Sequence, residues 1–522
     1  MKRILLALTF ATIIATVTTA QEKQCFTTEM DNEATAKNPD MLRQRHELEN
    51  FIQQYATVER RNNSVVYVIP IVFHILHNYG GENISDAQVL DQVRILNRDF
   101  RRLNADTINI VPAFQGRAAD CEIEFRLPSI DPNGNCTNGI DRIQTMLTYS
   151  ADDNSKLNPW PNDKYFNVWV AHSLENTGAA AYAYYPGAPS SIDGVLCLFT
   201  YIGSIGAGNE TRSRVLTHEI GHSMNLAHVW GSTNSPGVAC GDDNVSDTPE
   251  TKGWTSCYLS AAVCNPPIVE NVQNYMEYSY CDVMFTEGQK TRMRATLNSS
   301  VSGRNNLWSP GNLLATGVTQ GPQVCAPIAD FGISRKLVCE NGTVSFHDLS
   351  WNSTVSNWNW SFPGGVPSTS TDSAPVVTYP TAGTYSATLV VSNATGSDSI
   401  TQTSIINVAG PSTSAIPYIE SFEDPLSFPG TSGLIINEDN GTTWARVTNA
   451  AVSGSASIRI NNYTNTAGQL DEWIMPTMDF SNISAPIVMT FYVANAQRNS
   501  NSDDRLTFSG SLNCGANWMM RY

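Results

Sequence analysis

Long hydrophobic runs are almost absent from this 522-residue chain. The one substantial run, residues 4–17, follows Lys2 and Arg3 and gives way to small residues up to Ala20. A charged start, a short apolar stretch and a small-residue end are typical of a cleavable secretory signal, so we assign residues 1–20 to a signal peptide. Because a membrane-spanning helix needs about twenty apolar residues, the sequence argues against a membrane anchor. We expect a secreted protein, free or associated with a cell surface.

Basic residues are also scarce, and no cluster of them stands out. Lys and Arg number 31 against 48 Asp and Glu, which gives a formal net charge of −17. An acidic surface repels phosphate backbones, so we expect no nucleic-acid partner. The length exceeds what one hydrophobic core can serve and predicts about three domains.

Histidine is rare, yet three of the 8 histidines lie within one short segment. His218 and His222 are one helical turn apart, so both rings can bind one metal ion, with Glu219 beside them. His228 can reach the same ion only if the chain bends sharply after the helix. Asn225 is placed for that bend, because asparagine tolerates a left-handed backbone better than other residues with a side chain. A helix with incidental surface histidines is the alternative.

This segment resembles the signature of the metzincin metallopeptidases, HExxHxxGxxH followed by a methionine-containing turn, although Asn225 replaces the glycine. Residues 274–278, Asn-Tyr-Met-Glu-Tyr, resemble that turn. Within the metzincins the pappalysin family fits best, from Cys25 to about residue 305. Three further segments carry this resemblance: residues 68–76 as the first strand, 87–104 as the first long helix, and 240–249 before the Met-turn.

The resemblance implies an α+β catalytic domain over residues 61–310, with a mixed twisted sheet, long helices and an irregular C-terminal subdomain. It implies zinc bound by the three histidines, with a fourth position where the ion lowers the pKa of water toward about 7. Glu219 would take the proton of that water and pass it to the leaving amine. Tyr278 would stabilise the oxyanion, or alternatively bind zinc in the resting enzyme. Met276 is expected to pack beneath the site.

The 11 cysteines indicate disulfide bonds in an exported chain, and the odd count leaves at least one unpaired. Four of them crowd the segment before the Met-turn, and four cysteines allow three pairings. The family resemblance implies Cys240–Cys264 and Cys257–Cys281. The sequence leaves open the partners of Cys121, Cys136, Cys197, Cys325, Cys339 and Cys514.

Cys25 resembles the propeptide cysteine that related zymogens place on the zinc. A thiolate is a strong zinc ligand and would occupy the position that catalysis needs for water. We therefore predict a latent zymogen with a propeptide over residues 21–60, removed near Arg60–Arg61. An unpaired cysteine in a tail is the alternative.

Asp242, Asp243 and Asp247 lie in one irregular segment, and Ca²⁺ binds several carboxylate and carbonyl oxygens of such segments. Family members bind calcium nearby. By position, Asp243, the carbonyl of Ser246 and Thr248 are the expected ligands. A solvated acidic loop is the alternative in so acidic a chain.

Hydrophobic patterns predict strands over residues 165–170 and 194–200. The active-site helix is expected over residues 212–224. By resemblance, residues 179–185 form the edge strand above the cleft. The free backbone groups of such a strand would bind an extended peptide by strand addition. An ordinary edge strand stopped by Pro186 is the alternative.

Residues 325–410 resemble a PKD-type β-sandwich, a common extracellular spacer. Their composition shifts to Gly, Ser, Thr and Asn, and Ala387, Leu389 and Val391 alternate with polar residues as an inward-facing row. The sequence predicts this row as part of the sandwich core.

Residues 415–522 form a further β-rich segment that looks like an incomplete jelly-roll module, with a strand predicted over residues 487–493. Weak binding of this module to a glycan or matrix is one interpretation, and a passive spacer is the other.

The function that these patterns predict is hydrolysis of peptide bonds in proteins or peptides by a secreted, monomeric, zinc-dependent endopeptidase. The alternative is a cell-surface or matrix adhesin that carries a weakly active or inactive protease domain. The presence of Glu219 argues against an inactive domain. The residues that set cleavage preference cannot be placed from the sequence.

Overall fold

The computed structural model describes residues 24–58, 65–321, 323–411, 414, 416–431, 433–437, 441–464, 470–484, 486–496 and 505–520. The predicted signal peptide and the predicted cleavage at Arg60–Arg61 lie outside these residues. Among the residues described, no helix is both long and apolar enough to cross a bilayer.

A seven-stranded mixed sheet forms the centre of the N-terminal half. Its strands are β1 (Gln24–Cys25), β2 (Tyr67–His77), β3 (Ile123–Arg126), β4 (Ile140–Gln144), β5 (Phe166–Ala171), β6 (Ala179–Ala183) and β7 (Val195–Leu198). The order is β1-β6-β7-β5-β2-β3, and β4 pairs with the second half of β2. Only the β6–β7 pair among these described strands is antiparallel. Strand β2 is an almost continuous apolar run because its neighbours and the covering helices bury it.

The helices of this half pack around the sheet. They are α1 (Thr27–Lys37), α2 (Asp40–Val58), α3 (Asp86–Phe100), α4 (Pro112–Gln115), α5 (Val215–Ser223), α6 (Glu287–Asn298), α7 (Arg304–Leu307) and α8 (Pro310–Ala315). Short 3₁₀ turns lie at Ala105–Asn109, Met146–Thr148, Asp153–Ser155, Phe199–Tyr201 and Val301–Gly303. The mixed sheet with long helices agrees with the fold class expected from the sequence.

Two helices are shorter than the sequence led us to expect. Helix α3 ends at Phe100 rather than near residue 104, because Arg102 has a left-handed backbone with φ +51° that stops a helix. Leu103, which lies within the expected helix but beyond its observed end, is 72% exposed. Helix α5 begins at Val215 rather than Arg212, because residues 209–214 form turns in which Arg212 and Ser213 bond back to the carbonyl of Asn209.

The segment between α5 and α6 is irregular and is stabilised by disulfides and one buried carboxylate. Cys240 is bonded to Cys264 and Cys257 to Cys281, which are the pairs that the family resemblance implied. The carboxylate of Glu270 is buried and accepts four hydrogen bonds, from Thr251 Oγ1, Trp254 Nε1, Val263 N and Cys264 N. These bonds replace the regular backbone pairing that the segment lacks.

A two-sheet β-sandwich follows the peptidase half. Its strands are β8 (Phe331–Ile333), β9 (Leu337–Cys339), β10 (Gly342–Asp348), β11 (Asn357–Ser361), β12 (Thr369–Ser370), β13 (Val376–Tyr379), β14 (Gly383–Ser392) and β15 (Ser397–Ala409). The sheet orders are β13-β10-β8 and β12-β11-β14-β15-β9. Ala387, Leu389 and Val391 are fully buried, so the predicted inward row is confirmed.

Disulfides join the sandwich to both of its neighbours. Cys136 of the peptidase half is bonded to Cys325, and Cys339 of the sandwich is bonded to Cys514. Cys25, Cys121 and Cys197 are buried and unpaired as disulfides. The sequence left all of these partners open except that of Cys25, for which it predicted a metal contact.

The C-terminal segment contains short strand pairs. Its strands are β16 (Leu434–Asn437), β17 (Ala445–Val447), β18 (Ser457–Arg459), β19 (Asp471–Ile474), β20 (Ser509–Gly510) and β21 (Met519–Met520). The strand predicted over residues 487–493 is wrong, since these residues have no regular structure and their large apolar side chains are exposed. Strand propensity is realised only when a neighbouring strand pairs with the backbone, and none of the described strands does so here.

Candidate metal centre and active site

Helix α5 crosses beneath the edge of the sheet and is buried along almost its whole length. From Leu216 to Ser223 every residue is buried, which fits a helix that is surrounded by protein. Thr217 donates a hydrogen bond to Asp99 of α3 at 3.0 Å. This contact holds the helix that carries the first two histidines.

The end of α5 turns the chain back toward these histidines. Asn225 has φ +69°, and the N–H of Leu226 donates to the carbonyl of Gly221 at 3.0 Å, which closes the helix in a Schellman motif. The bend thus occurs at the residue where the sequence placed it. It brings His228 to His222, with 3.2 Å between their Nε2 atoms.

All three histidine rings are fixed by backbone carbonyls. Nδ1 of His218 lies 2.7 Å from the carbonyl oxygen of Tyr275, Nδ1 of His222 lies 2.7 Å from that of Leu226, and Nδ1 of His228 lies 3.0 Å from that of Thr233. Because a carbonyl only accepts, each Nδ1 carries the proton and each Nε2 presents a lone pair.

The three lone pairs converge on one point. Nε2 of His222 lies 3.1 Å from that of His218 and 3.2 Å from that of His228. Burial lowers the pKa of His218 to about 4 and those of the other two well below their ordinary value, so the rings are neutral. Three neutral imidazole nitrogens at this spacing repel one another unless a cation lies between them, and three imidazoles are a common zinc ligand set.

Cys25 supplies a fourth ligand atom to this cluster. Its sulfur and the ligand nitrogens of the three histidines all lie within 4.8 Å of one another, and all four residues are buried. A thiolate and three imidazoles fit the four-coordinate preference of zinc. These four donor atoms therefore fit a zinc ion.

Glu219 is buried beside the histidines and is bound by the segment that carries Cys25. Its Oε2 accepts a hydrogen bond from the Thr27 hydroxyl at 2.7 Å, and burial raises the pKa of Glu219 to about 7. The Thr27 oxygen in turn accepts from the N–H of Ala183 on β6 at 2.8 Å. The sequence did not identify Thr27 as a site residue.

Met276 packs directly beneath α5. It is fully buried, and a Cβ atom added at Gly221 would lie only 2.5 Å from its sulfur. An alanine at position 221 would therefore force the Met276 side chain to shift. The neighbouring carbonyl of Tyr275 binds His218, so the turn that holds Met276 also orients a histidine ring.

Tyr278 and Asn234 both face the carbonyl of Cys25. The Tyr278 hydroxyl lies 3.2 Å from this oxygen and 2.9 Å from Asn234 Oδ1, and Asn234 Nδ2 donates to the same carbonyl at 2.9 Å. The Tyr278 ring packs edge-on against His228 with 5.0 Å between ring centres. The sequence identified Tyr278 but not Asn234.

The edge strand β6 is shorter than predicted and is covered. It ends at Ala183, because Tyr184 and Tyr185 leave the ladder and place their hydroxyls near Asp153 and His222. Strand β1 pairs with β6 in parallel, and the N–H of Phe26 donates to the carbonyl of Ala181 at 3.1 Å. The chain's own N-terminal segment thus uses the edge that the sequence assigned to an extended peptide.

Helices α1 and α2 hold this N-terminal segment over the cleft. Arg45 forms a largely buried ion pair with Asp31 and lies over the Tyr185 ring. Glu49 accepts hydrogen bonds from Asn225 and Arg292, next to the end of α5. The segment is therefore docked on both sides of the histidine cluster.

The acidic segment proposed for calcium is partly engaged elsewhere. Asp247 accepts hydrogen bonds from Thr286 and from the N–H of Gly288, so its carboxylate caps α6. Asp243 is buried and accepts from Thr248 and Val245 through one oxygen, while its Oδ2 has no hydrogen-bond partner among the described residues. Burial raises the pKa of Asp243 to about 7. Ser246 is exposed.

The chain is similar in sequence to known peptidases. The Peptidase M43 family model, described as pregnancy-associated plasma protein-A, matches residues 149–298, and a PKD domain model matches residues 324–408. An extracellular metalloprotease of Colletotrichum graminicola is 34% identical over 248 residues, which cover 44% of this chain and 76% of the relative.

Two solved structures are also similar. Mature mirolysin of Tannerella forsythia, in complex with a cleaved peptide, is 34% identical, with 49% of this chain and 99% of that chain covered and a TM-score of 0.44. A mutant of promirolysin from the same organism is 31% identical, with 55% and 97% covered and a TM-score of 0.47.

The site and the sequence matches define a zinc metalloendopeptidase of the metzincin class followed by a PKD domain. The chain belongs to the pregnancy-associated plasma protein-A, or pappalysin, family.

Proposed function

We propose that this protein is exported as a latent zymogen and, once its propeptide is removed, cleaves peptide bonds with zinc held by His218, His222 and His228. The observation that carries the proposal is the convergence of three neutral Nε2 atoms beside a buried Glu219. Zinc in such a site acts as a Lewis acid and lowers the pKa of water toward about 7.

The protein residues supply the remaining steps. Glu219 lies one residue after the first ligand and accepts the proton of the attacking water, then donates it to the amine that leaves. The Tyr278 hydroxyl lies next to a peptide carbonyl in the structure and donates a hydrogen bond to the developing oxyanion. Met276 supports the ligand helix by packing against Gly221.

Latency follows from contacts that residues 24–27 make with each part of the site. The sulfur of Cys25 lies among the ligand nitrogens of the histidines, and the Cys25 carbonyl accepts a hydrogen bond from the Tyr278 hydroxyl. The Thr27 hydroxyl donates a hydrogen bond to Glu219. Strand β1 covers the substrate edge. We propose that cleavage within residues 59–64, near Arg60–Arg61, frees all four positions at once.

We also propose that the protein is exported and that it binds calcium. Relatives are named extracellular metalloproteases, and the four disulfides suit an oxidising compartment, which supports a signal peptide over residues 1–20. The Asp243 Oδ2 atom, which has no hydrogen-bond partner among the described residues, supports a Ca²⁺ site for which we propose the Ser246 carbonyl and Thr248 as further ligands. A melting temperature that is equal with and without calcium, at saturating zinc, would refute the calcium site.

Two further expectations concern partners. We propose that the enzyme acts as a monomer on proteins or peptides, which gel filtration of the activated chain tests. Weak glycan or matrix binding by residues 415–522 remains a prediction, and the absence of retention on immobilised glycans would favour a spacer.

The function is tested by cleavage of a denatured protein, such as reduced and alkylated casein, with the purified chain after removal of the propeptide. We expect turnover that a chelator abolishes and added zinc restores, and no turnover by Glu219→Gln. Persistent cleavage by Glu219→Gln at equal zinc content would refute the assignment of the base. The complete lack of chelator-sensitive cleavage by the wild type would favour the adhesin alternative.

A further inference from the structure

We infer that Asn234 is a further residue of the peptidase site, where its side-chain amide binds the backbone carbonyl of a peptide and its side-chain oxygen orients the Tyr278 hydroxyl. This inference rests on the proposed function. The ligand is a backbone carbonyl of an extended peptide that pairs with β6, irrespective of the side chains of that peptide.

The carbonyl of Cys25 shows where such a ligand lies. Asn234 Nδ2 donates to it at 2.9 Å, and the Tyr278 hydroxyl lies 3.2 Å from it. The sulfur of the same residue belongs to the cluster of candidate zinc ligands, so this carbonyl belongs to the residue that reaches the candidate metal site. Two donors that converge on one carbonyl oxygen at this place form a pocket for a carbonyl or an oxyanion.

Asn234 also determines where the tyrosine hydroxyl points. Its Oδ1 lies 2.9 Å from the Tyr278 hydroxyl. Tyrosine has a single proton to donate, so the hydroxyl bonds to Asn234 when no carbonyl is present and turns to the carbonyl when a peptide arrives. The amide therefore keeps the hydroxyl within reach of the carbonyl.

The position of Asn234 is tied to the metal ligands. The carbonyl of Thr233, the preceding residue, accepts hydrogen bonds from His228 Nδ1 at 3.0 Å and from Trp230 Nε1 at 2.9 Å. The Trp230 ring stacks on His228 with 4.5 Å between centres. A ligand ring and an aromatic ring thus fix the backbone from which the Asn234 side chain extends.

Substitutions separate the two roles of the amide. Asn234→Ala removes both hydrogen bonds and should lower kcat/KM about tenfold, mainly in kcat, because the oriented hydroxyl acts on the transition state. Asn234→Asp keeps an acceptor for Tyr278 but places a negative charge beside the developing oxyanion, so we expect a loss of about a hundredfold. Ser235→Ala, an exposed neighbour on the same loop, is the matched control and should equal the wild type.

A double-mutant cycle with Tyr278→Phe tests the orienting role on the activated chain. In the Tyr278→Phe background the effect of Asn234→Ala should fall from about tenfold to about threefold, because only the bond to the carbonyl is left to lose. An undiminished tenfold effect in both backgrounds would overturn the orienting role.

A binding measurement tests the carbonyl contact without turnover. Asn234 Nδ2 also donates to the carboxylate of Glu29, so the probe is a labelled synthetic peptide of residues 24–37 that carries Glu29→Ala. In fluorescence anisotropy on the activated chain, this peptide should bind Asn234→Ala about fivefold more weakly than the wild type, with equal zinc per protein. Unchanged affinity would overturn the carbonyl contact, and a loss of zinc would show that Asn234 is structural. If Glu219→Gln retained activity, the proposed function would fail while the peptide measurement still decided the contact.

Discussion

The peptidase half and the PKD sandwich bury different kinds of side chain. The sandwich core consists of apolar and aromatic residues, among them Phe346, Trp360 and Leu389. The peptidase half also buries charged and polar groups, including the Arg304–Asp193 ion pair and the histidine cluster with Glu219. The sandwich buries fewer polar side chains, and among its described residues these are Asp330, Asn352 and Asn407.

Buried polar groups reduce stability unless each finds a partner, so their presence in one half needs a reason. In the peptidase half they hold the site: Asp99 anchors α5 through Thr217, and backbone carbonyls orient the histidines. Among the described residues of the sandwich, no group of three or more potential metal-ligating side chains lies together. The comparison therefore assigns the chemistry to the peptidase half.

The largest expected effect is on the chemistry of the peptidase half. Glu219→Gln should lower kcat by about a thousandfold, since general acid–base catalysis contributes about 10²–10⁴-fold, while zinc content stays the same. Phe346→Ala in the sandwich core is the counterpart and should leave kcat unchanged. Kinetics on both activated variants, with metal analysis, decide this. Equal losses of kcat in the two variants would show that catalysis depends on the sandwich as much as on Glu219.

The second effect separates the stabilities of the two halves. Arg304→Met leaves Asp193 buried without its partner and should cost the peptidase half about 3–5 kcal/mol. Trp360→Ala should cost the sandwich about 3–5 kcal/mol by leaving a cavity. Calorimetry should show a different transition lowered in each variant. A common shift of all transitions would mean that the two halves unfold as one unit.

A smaller effect is expected on latency. Thr27→Val removes the hydroxyl that binds Glu219, a hydrogen bond to a charged group worth about 1.5–3 kcal/mol. The zymogen should then activate about ten- to a hundredfold faster, measured as the onset of peptide cleavage at a fixed concentration of activating protease. Thr27→Ser keeps a hydroxyl and is the control. Identical activation rates of Thr27→Val and Thr27→Ser would show that the Thr27 hydroxyl does not contribute to latency.

The smallest effect concerns the packing beneath the metal. Gly221→Ala places a methyl group against the Met276 sulfur and should destabilise the peptidase half by about 1–3 kcal/mol and weaken zinc retention. Gly311→Ala lies in α8, where an added Cβ meets no atom within 4 Å, and should have no such effect. Thermal melts with and without zinc compare the two variants. A neutral Gly221→Ala would show that Met276 is free to move aside.

Local patterns in the sequence were sufficient for much of this account. The spacing of His218 and His222 reports which side chains share a helix face, and the tolerance of asparagine for a left-handed backbone located the bend at Asn225. The alternation around Leu389 reports the inward face of a strand. Each of these inferences depends on residues that are close together in the chain.

Contacts between distant segments could not be predicted in this way. Thr27 and Glu219 are 192 residues apart, and Asn234 and Cys25 are 209 apart, so no local period connects them. The end of α3 depends on one left-handed residue, Arg102, which composition does not predict. The false strand over residues 487–493 had suitable residues but lacked a pairing partner among the described strands.

X-ray absorption at the zinc edge of the intact zymogen is the most direct test of the proposed ligand set, three histidine nitrogens and the Cys25 sulfur. We expect three nitrogen ligands at about 2.0 Å and one sulfur at about 2.3 Å, with the sulfur lost in Cys25→Ser and the nitrogens retained. Fewer than three imidazole nitrogens, or a zymogen spectrum without sulfur, would contradict it.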